Sequence, residues 1–467
     1  MMKNIVVFIM DQTAWRALPA YGNTYAKTPN IDRIAEGGMC IDGCYSTCPL
    51  CQPSRASFWT GRYPHETRVV SNSARCREKG VLPDFPTMGE VFSAAGYETV
   101  HFGKTHDAGT LRGFYCEPEK EIVSEPENPA YPQNRDTFRD NYTFRAACDW
   151  IRQRQDERPL FLVADIVNPH NICGWVGENQ GVHRGMDSGE PLPPLPENFD
   201  FPDIAGQPRA IQYVCCTNIR QSQTAGWTPD NFREYLRAYY HFLSLADRGI
   251  GQVLDALEER GVHAGNTLFV MMSDHGDSMG ARGRVTKQVD FYEETMRVPM
   301  IFKGPGIGAG RREGIASLLD LFPTLCSQAG IGAPEGLRGR DISAALSGGE
   351  LPGRDYVAGE WHTEWGYTVS PGRMIRTGRY KYTRYIEDGG EQLFDLEMDP
   401  LEQNNLAGEP ESASVLEGMR DLLKRHLEET GDSFETLKWA ADSRWRSHPV
   451  GYQNHRGIAA PMTGEEH

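Results

Sequence analysis

Cys51-Gln52-Pro53-Ser54-Arg55-Ala56-Ser57-Phe58-Trp59-Thr60-Gly61 is the stretch on which the reading of the chain turns. Pro53 suits the first turn of a helix, where a missing N–H costs nothing, and Gly61 is a natural stop. Cys51 therefore falls at or just before a helix N-terminus. Unpaired backbone N–H groups and the helix dipole favour an anion at such a place.

The cysteines around it allow a different chemistry. Cys44, Cys48 and Cys51 are spaced C-x3-C-x2-C, with Cys40 close by, and radical enzymes hold a [4Fe–4S] iron–sulfur cluster with that spacing. Cys48 and Cys51 alone also form a C-x-x-C redox pair. Neither chemistry has a use for Pro53, Ser54, Arg55 and Gly61. Small buried thiols packed around a site are the favoured reading of Cys40, Cys44 and Cys48.

Composition narrows the function classes. The 467 residues carry a formal charge of −16, so no basic stripe is available to neutralise phosphates and no nucleic-acid partner is expected. A locally positive pocket in an acidic protein can still take a small anion. The length predicts one large domain, 1–350, and a smaller one, 351–467. Eleven cysteines, with Cys215 and Cys216 adjacent, do not read as a disulfide framework and fit a reducing compartment. The apolar run Ile5–Met10 is too short for a secretory h-region, and no run approaches a membrane span. The expectation is a cytoplasmic enzyme with no membrane partner.

Along the chain, several apolar runs end in chemically equipped residues. Asn4 to Met10 reads as a parallel strand buried on both faces and ends in Asp11-Gln12, where an α/β sheet places its ligands. Thr28 to Gly38 reads as a capped short helix and Thr87 to Ala95 as a second. Strand 98–102 leads into Gly103-Lys104-Thr105-His106, and strand 160–167 into Asn168-Pro169-His170. Residues 117–137 read as an excursion loop and 141–155 as a helix. The polar, Pro-rich segment 172–230 is expected to line or cover the pocket as a long loop, and 232–259 is a long amphipathic helix. Strand 267–273 ends in Asp274-His275-Gly276-Asp277, followed by Lys287, Tyr292-Glu293-Glu294 and Arg297-Val298-Pro299. Beyond residue 350, short alternating strands precede a helix at 414–430.

Cys51-x-Pro53-Ser54-Arg55 with Thr60-Gly61, the run Thr28-Pro29-Asn30-Ile31-Asp32-Arg33-Ile34-Ala35, Gly103-Lys104-x-His106 and Ser273-Asp274-His275-Gly276 resemble the type I sulfatases of the alkaline phosphatase superfamily. The resemblance implies an α/β fold: a large mixed, mostly parallel sheet flanked by helices, with a small C-terminal α+β subdomain carrying an antiparallel sheet. It implies that a formylglycine-generating enzyme converts Cys51 to Cα-formylglycine, whose hydrate attacks sulfur. A thiol lacks the second hydroxyl needed to expel sulfate. Asp11, Asp274 and His275, with the modified Cys51, are the implied metal ligands, and Gln12 can add its amide oxygen. Calcium is the family's usual ion, while a nitrogen from His275 also suits manganese or magnesium. By the same resemblance, His170 and Lys287 protonate the departing oxygen or bind the sulfate, His106 takes the proton of the second hydroxyl, and Arg55 and Lys104 hold the hydrate.

The chain departs from the pattern twice. Thr105 stands where the family has Trp, and Gln12 stands where many members have a second acid. Choline-sulfatase-like enzymes and phosphonate monoester hydrolases also carry Asp-Gln there. The expected function is hydrolysis of a sulfate monoester, of a sulfated carbohydrate or another small organic sulfate; the alternative is a phosphonate monoester or phosphodiester, and a homo-oligomer is compatible with either. Candidates for shaping the leaving-group pocket are His362, Glu364, Trp365, Arg373, Trp175 and Trp227, for each of which core packing is the competing reading. The aromatic tail with Trp445, His448, Tyr452 and His455 is expected to pack across the mouth of the site or a neighbouring subunit, with simple surface packing as the competing reading.

Overall fold

The computed structural model describes residues 3–72, 85–117, 135–179, 191–200, 204, 206–216, 221, 223–224, 226–287, 290–362, 370–386 and 388–437. Its strands in chain order are β1 (Asn4–Met10), β2 (Met39–Ile41), β3 (Cys44–Tyr45), β4 (Glu98–Gly103), β5 (Tyr115–Cys116), β6 (Leu160–Ile166), β7 (Thr267–Met272), β8 (Arg297–Val298), β9 (Met300–Lys303), β10 (Gly310–Arg312), β11 (Ala316–Ser317), β12 (Val357–Trp361), β13 (Gly372–Arg376), β14 (Tyr380–Tyr385) and β15 (Glu391–Asp395). Eight of them form one mixed sheet in the order β10-β2-β9-β7-β1-β6-β4-β5. β1 runs at its centre, parallel to β6 and β7, whereas β9 is antiparallel to both β7 and β2.

The continuous apolar character of β1 follows from burial on both faces. Val6, Phe8 and Met10 pack with Tyr235, Tyr239 and Phe242 of the long helix Pro229–Glu259. Ile5, Val7 and Ile9 point the other way, against Phe58 and Trp59 of the helix Cys51–Thr60. A charged residue cannot sit in that interior unpaired, so the functional side chains gather at the C-terminal edge of the sheet.

The helix Cys51–Thr60 starts at Cys51 and is buried along its whole length. Gly61 closes it at φ 67°, its N–H donating to Ser57 O at 2.7 Å, a conformation that glycine adopts without a Cβ penalty. The short helix Pro29–Ala35 is held differently from a simple side-chain cap at Thr28. Its first amides, from Asn30 and Ile31, donate to the Asp247 carboxylate of the long helix at 2.9 and 2.8 Å.

The expectation of a structureless covering loop at 172–230 is corrected. The segment contains helices Ile172–Glu178 and Arg209–Cys216, with Ile172, Trp175, Val176, Ile211 and Val214 in the core. Proline and glycine runs break its apolar periodicity into pieces too short to read as helices. No described helix is long and apolar enough to cross a membrane, and Cys40, Cys44, Cys48, Cys51, Cys116, Cys148, Cys173, Cys215 and Cys326 form no disulfide among themselves.

Beyond the large sheet, β12 to β15 form an antiparallel meander. The helix Ala413–Thr430 backs it, packing Leu416, Met419, Leu423 and Leu427 with Ile375, Tyr382 and Leu393. This small sheet meets the cysteine loop where Glu360 N–H donates to Thr47 O at 2.8 Å.

Candidate active site

Separate strand ends deliver the polar residues to one place. Asp11 and Gln12 follow β1, Lys104 and His106 follow β4, His170 follows β6, and Asp274 and His275 follow β7. Cys51 comes from the helix that packs on the opposite strand face. Asp11, Cys51, Asp274 and His275 are buried and place their ligand atoms within 4.8 Å of one another.

Arg55, one helical turn after Cys51, organises the acids beneath it. Its Nε donates to Asp274 Oδ2 at 2.9 Å, one terminal nitrogen to Asp11 Oδ2 at 3.0 Å and the other to Asp165 Oδ2 at 2.5 Å. Lys104 also pairs with Asp11 Oδ2. Burial opposes the charge on Asp11, yet Lys104, His170 and Arg55 hold its carboxyl well below the usual range. Asp274 is pushed up by burial and by the charge of Asp11. Two carboxylates crowded at one point is a charge arrangement that a cation relieves.

Around position 51 the groups are mostly cationic or imidazole. Lys287 Nζ donates to Cys51 Sγ at 3.0 Å, His275 Nε2 stands 3.2 Å from it, and Asp11 Oδ1 lies 3.7 Å away. His106 and His170 border the same side chain and act on its charge. Burial alone would raise the Cys51 thiol, but Lys104, Lys287 and His275 hold it well below its ordinary value. Any nucleophile at this position is thus stabilised in its anionic form. His170 is pushed down to about 4 by burial and by Lys287, so it is neutral at pH 7.

The donor set fits a divalent cation. Two carboxylates and one imidazole converge, and bonds of about 2.4 Å to a common ion span such separations. His275 Nδ1 is occupied by Gly276 O at 2.9 Å, which leaves Nε2 facing the group. The Gln12 amide oxygen accepts from Lys287 at 3.0 Å, and its amide nitrogen donates to Asp277 Oδ2 at 2.7 Å.

The iron–sulfur reading fails on geometry. Among the described residues, Cys51 alone of the three cysteines joins a group of metal-ligating atoms. Cys44 sits in the core with its Sγ 3.8 Å from the Met300 sulfur, and Cys48 packs in another cluster with Leu50 and Ile211. Burial raises both thiols well above their usual values. Two of the pocket candidates are likewise core residues: Trp175 and Trp227 are buried, edge to face at 5.9 Å. Arg373 is buried in a bidentate pair with Asp432 at 2.6 and 3.0 Å and contacts His362. Glu364, Trp365, Trp445, His448, Tyr452 and His455 lie outside the described residues.

Sequence reasoning passed over Asp165, Asp277 and Cys173. Cys173 Sγ lies 3.5 Å from Gln12 Oε1. The signal for Asp165 was present, since a carboxylate inside the apolar run Leu160–Val167 needs a buried cation, and Arg55 is that cation.

Comparison with known proteins agrees with this geometry. The family model described as Sulfatase matches residues 3–331, and that of the N-sulphoglucosamine sulphohydrolase C-terminal region matches residues 283–429. The chain is 42% identical over 464 residues to the Δ4,5-hexuronate-2-O-sulfatase of Bacteroides thetaiotaomicron, covering 98% of this chain and 95% of that protein. It is 30% identical to the choline-sulfatase of Rhizobium meliloti, over 91% of this chain and 86% of the other. Among solved structures, a 2-O GAG sulfatase superposes with a TM-score of 0.91 at 40% identity, covering 99% of this chain and 100% of that one. The chain, with its alkaline phosphatase-like sheet and its C-terminal antiparallel subdomain, belongs to the sulfatase family and is a sulfuric ester hydrolase.

Proposed function

We propose that this sulfatase removes the 2-O-sulfate from an unsaturated hexuronate carried on a small glycosaminoglycan-derived saccharide. The observation that carries this reading is the 42% identity to a Δ4,5-hexuronate-2-O-sulfatase across nearly the full length of both chains. A solved 2-O GAG sulfatase at 40% identity supports it. The choline-sulfatase relative is more distant at 30%, and the phosphonate monoester hydrolases, at 21% identity, share the fold alone.

Position 51 is the proposed nucleophile, converted from cysteine to formylglycine by a maturation enzyme; Cys51 Sγ then marks the place of one hydroxyl of the hydrated aldehyde. Asp11, Asp274 and His275 would hold a divalent cation, calcium by family habit, that supplies charge neutralisation for a sulfate oxygen. The remaining roles belong to the chain's own side chains. Lys104 and Lys287 bring two ammonium groups to an otherwise acid-rich floor, which offsets the charge of an incoming sulfate. His170 and Lys287 both border position 51 and are placed to bind the sulfate or to give a proton to the departing sugar oxygen. His106, half-buried and beside the position-51 side chain, is placed to take a proton from it.

Sulfate release from a 2-O-sulfated Δ4,5-unsaturated uronate disaccharide, measured beside a 6-O-sulfated hexosamine, choline sulfate and an aryl phosphonate, tests the substrate. Preference for the first is expected. Turnover of another ester with none of the 2-O-sulfate would sink this reading. Mass analysis of the peptide containing Cys51 from natively matured protein checks the nucleophile, with an aldehyde expected in place of the thiol.

A further inference from the structure

Gln12 is pinned at every polar atom. Its N–H donates to Asp274 Oδ1 at 3.1 Å and its carbonyl accepts from the Tyr239 hydroxyl at 2.7 Å. Its side-chain nitrogen donates to Asp277 Oδ2 at 2.7 Å, and its side-chain oxygen accepts from Lys287 Nζ at 3.0 Å. Its backbone has φ 68°, a left-handed conformation that a non-glycine residue keeps only when its surroundings hold it there.

Asp277 is fully buried. Its Oδ1 accepts from the Tyr235 hydroxyl at 2.6 Å and from the Met279 N–H at 2.8 Å. Donors therefore approach both carboxylate oxygens, and the face turned to Gln12 is an acceptor. Lys287, at the other end of the amide, can only donate. A flipped amide would oppose two acceptors at one end and two donors at the other. The same Lys287 Nζ is 3.0 Å from Cys51 Sγ. A continuous chain of hydrogen bonds thus runs Tyr235–Asp277–Gln12–Lys287–Cys51.

We propose that Asp277 is a positioning residue for sulfate-ester hydrolysis: by accepting from Gln12 it fixes the amide polarity that holds Lys287 against position 51. This explains how the site works with an amide where a second acid is common. It rests on the reading that Lys287 acts at position 51. Lys287→Ala is therefore measured alongside: if that variant keeps full turnover, the underlying reading fails first.

Asp277→Asn is the informative change because its outcome is forced. The Met279 N–H can only donate, so the side-chain amide of this variant must keep its oxygen there and turn its NH2 toward Gln12. The Gln12 amide then flips and presents NH2 to Lys287. Turnover number on the sulfate ester is expected to fall about 10–100-fold, with a smaller change in KM. The crystal structure of this variant should show Lys287 Nζ withdrawn from Gln12. Adding Gln12→Glu restores an acceptor at both ends with no change in total charge, so the double variant should recover most of the loss. Gln12→Glu alone sets two carboxylates together and is expected to be impaired. Tyr235→Phe is no substitute, because that hydroxyl also accepts from the Thr286 N–H at 2.8 Å beside Lys287. If Asp277→Asn does not fold, the double variant is compared with Gln12→Glu alone, and a double variant no better than Gln12→Glu overturns the proposal. Native turnover in a folded Asp277→Asn, or a double variant no better than the single one, overturns the proposal.

Discussion

Arg55 Nε donates to Asp274 Oδ2 at 2.9 Å across 219 positions of sequence. The same guanidinium reaches Asp11 and Asp165, and all four side chains are at most 1% exposed. Removing it leaves three buried carboxylates facing one another with Lys104 as their remaining close cation among the contacts of Asp11. Breaking a buried pair by deleting one partner costs about 3–5 kcal/mol. Arg55→Met should therefore show a loss of that order in urea unfolding and little or no turnover. A variant within about 1 kcal/mol of native would mean that these acids are protonated or otherwise relieved.

The convergence of Asp11, Asp274 and His275 predicts that a bound cation stabilises the fold. Nothing comparable gathers in the unfolded chain, so an ion at 100 times its dissociation constant adds about 2.7 kcal/mol. Stripping the protein with a chelator should lower both turnover and the melting temperature, and titrating calcium, magnesium or manganese back should restore them in an order that identifies the ion. Unchanged melting after verified metal removal would contradict a cation at this site.

Much of the site was legible because each piece combines a local signal with a strand end. Asp11, Lys104, His170 and Asp274 all follow apolar runs that read as buried strands, and the helix from Cys51 to Gly61 has its proline and glycine in the expected places. What was hidden depends on pairing at a distance. Nothing local says that Asp165 meets Arg55, that Asp277 meets Gln12, or that Arg373 pairs with Asp432. The helices within 172–230 were missed for another reason: each buries only one or two turns, too little for a 3.6-residue period to emerge between prolines.

The contact between the cysteine-bearing helix region and the small sheet predicts a pH response. His65 Nδ1 lies 2.6 Å from Glu360 Oε1, with Asp432, His362, His426 and Arg373 around the pair. Burial lowers the imidazole's affinity for a proton, but Glu360 more than reverses this and raises it to about 9. A folded-state value above the unfolded one of 6.5 means that the stabilisation is complete below pH 6.5 and disappears as pH rises toward 9. Glu360 is held well below 4.5, so its share is complete above about pH 4.5 and is lost on acidification. The raised imidazole is worth at most about 3 kcal/mol. Unfolding free energy should fall between pH 6.5 and 9 in the native protein and much less in His65→Gln; equal slopes would refute the pairing.

Gly103 joins β4 to Lys104 under a constraint that no other residue meets. Its φ is 98°, and a Cβ built on it would stand 2.0 Å from Asp165 O, directly across the β4–β6 register where Gly103 faces Asp165. Backbone strain alone costs about 1–3 kcal/mol for a non-glycine residue, and the clash is with main chain, which cannot rotate away. Gly103→Ala must therefore push β4 and β6 apart at the point that positions both Lys104 and the Asp165 carboxylate under Arg55. Turnover should fall more than stability does, because Lys104 moves relative to position 51 while the rest of the sheet keeps its register. Paired measurement of melting temperature and kcat checks this; an alanine variant with native turnover would show that the strand ends move independently of the chemistry.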